Sequence, residues 1–510
     1  MSRFHVFVEN LKMVPGAFWN SFFRHGPPTT DRTRAETVFH NVFLHIHPAR
    51  VHRWSLKPAL SLGLGVMASA SYIILALTGI LLMLYYKPST TLAYESIKDI
   101  HFVVPTGRFV RNLHRWGAHL MVITVILHMA RVFFTSSYKS SRQFNWVVGL
   151  LLLALTLMLS FTGYLLPWDQ VAYWAITICA NIAQSPREIT DALNITHFFD
   201  PGGMAKTILI GGSEVGEDAL IRFNMLHCIV LPLALSAVLC VHFWRIRKDG
   251  GLARPDDADQ ELGTPPEGEK PLFTQSPQKT YGLMAFVRGS SPRVGKGPEN
   301  TLPAWPHLFY AELAIFMITI VITLAISLWM DAPLKELANP LVPENPAKAP
   351  WYFLGLQELV SYSAFMGGIG VPMVALLGLF LIPYLDREKT AEGRWFAAPG
   401  EKEVTLKSLF FGLSTVILLE SFAITCGWLR SWFPGIPTLI VTLINPGSVL
   451  TLLYALWSVH VLRKTGSMRL GAVAIFTCFL AGFLVLTIIA VQFRGPNWDF
   501  YWWPSLWPHH

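Results

Sequence analysis

The stretch LHRWGAHLMVITVILHMARVFF, residues 113–134, decides the fold. Crossing the roughly 30 Å hydrocarbon layer of a bilayer takes about 20 helical residues, and this run has them, with His114 and His128 set among apolar side chains. Fourteen residues apart, the two histidines fall about 40° apart on one helix face and about 21 Å apart along the axis. The run 223–244 repeats the device with His227 and His242, 15 residues and about 22 Å apart. Two such helices side by side would present two facing histidine pairs, one near each membrane surface. A lone histidine in a membrane helix is more often a packing or proton-relay residue. Four at matched spacings are another matter, because polar groups at that depth are costly. Neutral imidazole is a good axial ligand for haem iron, so the pattern points to two non-covalent b-type haems.

Outward from these helices, further apolar runs lie at 59–86, 146–166, 308–330, 371–384, 406–429, 439–461 and 470–491. With the two histidine runs they make nine candidate spans, the sixth short, holding Pro372 and able to begin near Phe365. The expected fold is an all-α integral membrane protein: a four-helix haem-binding bundle followed by four to five further transmembrane helices. Composition agrees, since 52% of the 510 residues are hydrophobic and 14% charged, against roughly 25% charged in soluble domains. The formal net charge of +8 does not imply nucleic acid, because Lys and Arg sit in loops between apolar runs. Basic loops follow the second, fourth, sixth and eighth runs, which puts them and the N-terminus in the cytoplasm. Residues 4–23 are expected to lie as an amphipathic helix on the membrane surface. The segment RPDDADQELGTPPEGEK, 254–270, opens a Pro-, Gly- and charge-rich linker. Cys179, Cys228, Cys240, Cys426 and Cys478 form no CxxCH or paired motif, so neither covalent c-type haem nor an iron–sulfur cluster is expected on this chain.

Small residues and arginines complete the expected cofactor environment. Gly65 and Gly79 in the first run, and Gly149 and Gly163 in the third, would let a flat macrocycle approach the backbone, although ordinary helix packing also uses such residues. Arg111, Arg115 and Arg131 flank the first histidine helix and would pair with haem propionates; for Arg111, snorkelling to the interface is an equal alternative.

The stretch 113–134, with FTGYLLPWDQVAYWA (161–175) and LHCIVLPLALSAVLCVHFWRIRKDGG (226–251), closely resembles the cytochrome b/b6 family, the haem-bearing subunits of quinol-oxidising bc and b6f complexes. A second, weaker resemblance runs from PAWPHLFY at 303 to about residue 400 and looks like the C-terminal half of cytochrome b, or subunit IV of b6f. The implied division is an N-terminal interfacial segment (1–57), a four-helix diheme module (58–246), a cytoplasmic linker (247–303), a subunit IV-like quinol module (304–403) and additional C-terminal helices (404–510). By this resemblance His114 and His227 ligate the haem near the outer side, and His128 and His242 the haem near the cytoplasmic side. Pro167, Trp168 and Asp169, in the PWDQ loop, would wall an outer quinol pocket with Trp351 and Tyr352. Arg247, Lys248 and Asp249 would serve an inner quinone site, although as bare residues they read as membrane-flanking charge.

Three departures from the family pattern stand out. Gly63 occupies the place where b6 tethers an extra haem through cysteine, so no covalent haem is expected there. In KAPWYFLGLQEL (348–359), Pro350 stands where the family's PEWY motif has a proton-accepting Glu, and Glu358, the nearest carboxylate, is the candidate to take over proton acceptance in the outer quinol site. The chain also fuses both halves and adds helices. The resemblance implies a diheme cytochrome b subunit of a respiratory quinol:electron-acceptor oxidoreductase, similar to quinol–cytochrome c reductase. It would transfer electrons from quinol across the membrane through two b-type haems with coupled proton translocation. A Rieske-type iron–sulfur protein and a c-type cytochrome would be partners in a homodimeric complex of a prokaryotic inner membrane. The alternative is a diheme membrane anchor relaying electrons between the quinone pool and a non-Rieske module. His45, His47, His52, His119, His307 and His460 are read as surface or packing residues.

Overall fold

The structure is a computed structural model that describes residues 3–22, 28–263, 300–389 and 392–508. Most of the expected linker, residues 264–299, lies outside the described residues. The chain divides into two compact units, Met1–Lys57 with Ile246–Gly251 and Asp257–Ala314, and Pro58–Arg245 with Leu252–Asp256 and Ile315–His510.

In the first unit, α1 (Arg3–Phe22) exposes Leu11, Met13, Val14, Phe18 and Trp19. Helix α2 (Asp31–His40) starts at Thr30, whose side chain accepts from the Thr33 amide in a capping box. Strands β1 (Arg50–His52) and β2 (Thr301–Pro303) pair antiparallel, with Val51 opposite Leu302. Val38, Leu44, Val51 and Ala304 form a small core. His47, expected to be a bystander, forms an ion pair with Glu312 at 2.8 Å, and His52 Nε2 lies within hydrogen-bond distance of Asp259 Oδ1, at 2.8 Å. Burial pulls the His47 imidazole down, but the hydrogen bond and charge of Glu312 outweigh it and hold the group above its ordinary 6.5. A raised folded-state value stabilises fully below the unfolded pKa and is lost as pH rises through the folded one. Amide protection factors around Leu44–His47, with the base-catalysed intrinsic exchange rate divided out, should therefore fall as pH rises past that point, and in His47→Gln that fall should be absent.

The second unit holds the helices that build the site. In chain order the helices of interest are α3 (Leu64–Met83), α4 (Ala93–Phe102), α5 (Gly107–Phe134), α6 (Gln143–Tyr164) and α7 (Gln170–Gln184). Then come α8 (Glu217–Lys248), α9 (Ala304–Trp329), α10 (Trp351–Tyr362), α11 (Met366–Leu385), α12 (Glu401–Cys426), α13 (Pro446–Thr465) and α14 (Met468–Phe493); α8 and α9 run into the first unit at one end. Among the described residues eight helices are long and apolar enough to cross a membrane: α3, α5, α6, α8, α9, α11, α12 (continuing to Trp432) and α14. The protein is thus an all-α, multi-pass membrane protein.

The expected eighth run, 439–461, is not one span. It breaks at Asn445, which is extended (φ −123°, ψ 166°) because Pro446 bars the helical conformation to the residue before it. The Asn445 side chain caps α13 by accepting from the Ser448 amide at 3.0 Å. Helix α13 has 20 residues, but Ser448, Ser458, His460, Arg463 and Lys464 make it less apolar than the eight. The short sixth run does begin at Met366, after Phe365, as a π turn ahead of Pro372.

The C-terminal helices pack on α14, whose most apolar stretch is 56% buried where that of α8 is 11% buried. Gly412 of α12 makes the approach possible: a Cβ there would sit 3.0 Å from the Cys478 Cα. Tyr454 of α13 donates to the Gly412 carbonyl at 3.0 Å, and Trp457 to Ser408 Oγ at 2.9 Å. At the start of α14 the fully buried Arg469 ties α5, α12 and α14 together. It donates to the Phe133 carbonyl at 3.0 Å, to Tyr138 Oη at 2.8 Å and to Glu401.

Candidate functional site

Helices α5 and α8 bring the four histidines together as two pairs. The ring centroids of His114 and His227 are 6.1 Å apart with planes at 79°, and those of His128 and His242 are 6.5 Å apart at 78°. Each gap has room for one atom bonded to both rings at a metal–imidazole length of about 2 Å. The two sequence intervals differ, yet the pairs match, and the reason lies in α8. His227 sits in a π turn, Leu226–Val230, in which the Leu231 amide bonds to the Leu226 carbonyl. A π turn holds one extra residue. Without it, 15 residues would leave His242 about 60° from His227, turned the opposite way from the 14-residue offset of about 40°. With the bulge, the longer interval turns like the shorter one. Pro232, with no N–H to return to the preceding turn, disfavours regular α-helix at this point.

A glycine stands beside each imidazole. A Cβ on Gly163 would lie 2.4 Å from His227 Cε1, on Gly65 3.3 Å from His128 Cε1, on Gly79 3.4 Å from His114 Cε1 and on Gly149 4.0 Å from His242 Cε1. All four expected glycines therefore line the space next to a ring, and Gly163 has least room for a side chain. Gly63 instead begins α3 in the left-handed conformation (φ 64°), beside Ile315.

The unused ring nitrogens differ between the pairs. His227 Nδ1 lies 3.1 Å from the Leu159 carbonyl, an acceptor only, so Nδ1 carries the hydrogen and Nε2 the free lone pair. His114 Nδ1 lies 2.9 Å from Thr78 Oγ1, whose own hydroxyl donates to the Ile74 carbonyl, so the same tautomer follows. Thr162 Oγ1 is 3.2 Å from His227 Nδ1. The Nδ1 atoms of His128 and His242 are buried with no partner among the described residues. The Thr78–Gly79 and Thr162–Gly163 dipeptides thus do one job on two helices: the glycine clears the ring and the threonine holds it. That repeat was the overlooked signal for both threonines. Among the described residues no three His, Cys, Asp or Glu converge as a set for a bare ion. Paired imidazoles with open glycine walls fit a metal whose remaining ligands come from a flat macrocycle.

The three expected arginines are placed differently. Arg111 spends its guanidinium on the carbonyls of Ala332 and Pro333, at 2.7 and 2.6 Å, tying α5 to the chain after α9. Arg131 donates through Nε to the Leu60 carbonyl at 2.7 Å but leaves Nη2 buried without a partner. Arg115 lies over the Tyr164 ring, 5.3 Å from its centroid, with a buried Nε also unpartnered. Arg115 and Arg131 thus retain donors for an anion.

The PWDQ loop is a clamp for the chain between α9 and α10. Asp169 Oδ1 caps α7 by accepting from the Ala172 amide at 2.9 Å, and Oδ2 accepts from the Lys335 amide at 3.0 Å. Gln170 Oε1 accepts from the Asn339 amide at 2.7 Å. Trp168 is buried with φ 54°, and Pro167 precedes it at the turn. At the start of α10, Trp351 Nε1 donates to His119 Nδ1 at 3.0 Å, and the His119 ring is 5.9 Å from that of Tyr352. His119, read from sequence as a packing residue, is therefore joined to the tryptophan–tyrosine pair. Because indole only donates, Nδ1 must accept and Nε2 must carry the hydrogen. Gln357 holds the strap before α10, accepting from the Ala349 amide at 2.9 Å and donating to the Ala347 carbonyl at 2.6 Å.

Glu358 is fully buried but already committed. Arg494 Nε lies 3.0 and 3.1 Å from its two oxygens, Arg494 Nη2 also donates to it, and Trp498 Nε1 donates to Oε2 at 2.9 Å. Arg494 and Trp498 lie far along the chain, and nothing in the α10 sequence foretells them. Arg247, Lys248 and Asp249 belong to the first unit, where Arg247 donates to the His45 carbonyl and stacks over Phe39.

The family model "Cytochrome b/b6/petB" matches residues 55–250, which hold all four histidines. Cytochrome b6 of Heliobacterium mobile is 40% identical over 204 residues, covering 40% of this chain and 88% of the relative. Cytochrome b6 of Synechocystis sp. is 38% identical over 187 residues, covering 37% and 79%. Among solved structures, a chain of a hyperthermophilic respiratory Complex III shares the fold, with a TM-score of 0.54 and 24% identity over 84% of this chain and 91% of that one. The chain belongs to the cytochrome b/b6 family.

Proposed function

We propose that the chain is the diheme cytochrome b subunit of a quinol-oxidising respiratory oxidoreductase of bc or b6f type. His114 and His227 ligate one b-type haem, and His128 and His242 the other. The observation that carries this is the pair of imidazole gaps, 6.1 and 6.5 Å between centroids, each flanked by two glycines. Bound haem supplies one-electron redox chemistry at two depths in the membrane. The chain's own residues present Nε2 lone pairs, bury the rings, and offer Arg115 and Arg131 to carboxylate groups. Trp351, Tyr352 and His119, together with the Pro167–Gln170 loop, form the outer quinol pocket. Asp169 positions that loop, because both its oxygens accept backbone amides. Arg247, Lys248 and Asp249 serve an inner quinone site. The 1–57, 58–246, 247–303, 304–403 and 404–510 divisions stand as the working domain plan. Protons leave on the outer side and enter on the cytoplasmic side, where the N-terminus lies, in the inner membrane of a prokaryote. A Rieske-type protein, a c-type cytochrome and a second copy of the chain complete the complex.

Purification of the intact complex, with an optical redox spectrum and subunit identification, tests this. Two b-type signals that a quinol reduces are expected, with an iron–sulfur and a c-type subunit present; a preparation without b-type haem refutes the reading. Pro350, in the place of the proton-accepting Glu, favours one alternative: a diheme anchor serving a non-Rieske module, which a different set of subunits would reveal. The glycines provide a graded check. Gly163→Ala forces the His227 ring to move and should remove the signal of that haem, while Gly149→Ala, with its nearest contact at 4.0 Å, should leave both. A Gly163→Ala variant that keeps both signals at full strength would count against the glycine walls.

A further inference from the structure

A second group of ionisable side chains lies beyond residue 250, outside the stretch matched by the family model. Trp351, Glu358 and Tyr362 of α10 fall within about 40° on one face of the helix. Glu358 meets Arg494 and Trp498 as described. One turn on, Tyr362 Oη is 2.8 Å from Oε2 of Glu420 on α12. Glu420 is 1% exposed, lies inside a membrane-spanning helix, and has Tyr362 as its only hydrogen-bond partner among the described residues. The charged and titratable groups facing it are Glu358 and Tyr362 of α10 and Arg494 after α14.

Charge balance decides what this cluster does. The guanidinium of Arg494 points its Nε and Nη2 at Glu358, and its Nη1 donates to the Trp498 carbonyl at 2.9 Å. Glu358 and Arg494 therefore neutralise one another. Glu420 has no cation of its own and one neutral hydroxyl as partner. An ionised carboxylate in that setting is costly and takes up a proton instead. Glu420 also feels the charge of Glu358, and two carboxylates within electrostatic reach of each other and of a single guanidinium cannot both ionise cheaply.

We propose that Glu420 and Tyr362 form a proton-binding site in the membrane interior, in which Glu420 is a protonated acid and shares one proton and the Arg494 charge with Glu358. The site follows from burial and charge pairing alone and does not rest on the quinol reading. Its chemistry is storage and release of a proton. If Glu358 loses its charge, Arg494 is left with Glu420 as its remaining carboxylate, and Glu420 gives its proton up.

Infrared difference spectroscopy on the purified full complex tests this, with the haem spectrum confirming assembly of each variant. The wild-type-minus-Glu420→Gln spectrum at neutral pH should contain the C=O stretch of a carboxylic acid that shifts in deuterated water. Tyr362→Phe, which keeps the acid and removes its partner, should move that band to higher frequency. It carries the test if Glu420→Gln fails to assemble. Glu358→Gln should abolish the band. A Glu420→Gln difference spectrum with carboxylate bands alone, or a Tyr362→Phe spectrum in which no acid band moves, overturns the protonated state. An acid band that survives Glu358→Gln unchanged overturns the sharing of proton and charge.

Discussion

Replacing His128 by alanine should remove one b-type haem and leave the other in place. The two pairs are about 21 Å apart on α5, and they share no holding residue: Thr78 and Leu159 serve the His114–His227 pair, while His128 and His242 have neither. The reduced-minus-oxidised b-type absorbance of the purified complex should fall to about half, since a haem held between two imidazoles would need both of them. His242→Ala should give the same residual spectrum, because it empties the other side of the same gap. His119→Ala is the internal control. This histidine lies on the same helix but bonds to Trp351, so both haem signals should persist. An assembled His128 variant with its full spectrum, or with none, would refute the assignment of ligands to pairs.

Removing Arg469 should have the largest effect on stability. Its side chain has no exposure, and it donates to Glu401, itself fully buried, and to Tyr138, which is hydrogen-bonded to Asp386. Lys139 then reaches Asp386 at 2.7 Å. Arg469→Ala leaves Glu401 with its charge uncompensated, which typically costs about 3–5 kcal/mol. That is a large share of the roughly 5–15 kcal/mol by which proteins are stable. The variant should accumulate poorly in membranes and unfold at a markedly lower temperature than wild type. Exposed Arg430, changed to alanine, should alter stability by less than about 0.5 kcal/mol. If the two variants melted together, Arg469 would not be the lock that geometry suggests.

The sequence carried much of this plan for identifiable reasons. Eight of the nine expected spans exist because a run of some 20 apolar residues has few stable options other than a membrane helix. The remaining one, the eighth, failed at Asn445–Pro446, where a local backbone rule outweighed average hydropathy. The four glycines were legible as openings, and each proved to face a histidine. Arg111 and Glu358 were legible as chemistry but not as commitments. Their partners, Ala332 with Pro333 and Arg494 with Trp498, come from more than 130 residues away.

By itself, then, the sequence determined the membrane class, the two histidine helices and the spacing of the four ring positions. Those are consequences of hydropathy and helical periodicity, both local properties of the chain. The pairing of His114 with His227 and His128 with His242 was implied by the resemblance, but only the tertiary structure decided how two unequal intervals bring those pairs into register. The π turn at Leu226–Val230 absorbs the extra residue that makes 15 act as 14, and it depends on backbone hydrogen bonding that periodicity counts do not see. Likewise, His119 looked like packing until α10 brought Trp351 to it, and Glu420, which the sequence did not single out, gains its partner only because α10 brings Tyr362. A side chain's residue type fixes which bonds it is able to make; which of them it makes depends on neighbours that folding delivers from elsewhere in the chain.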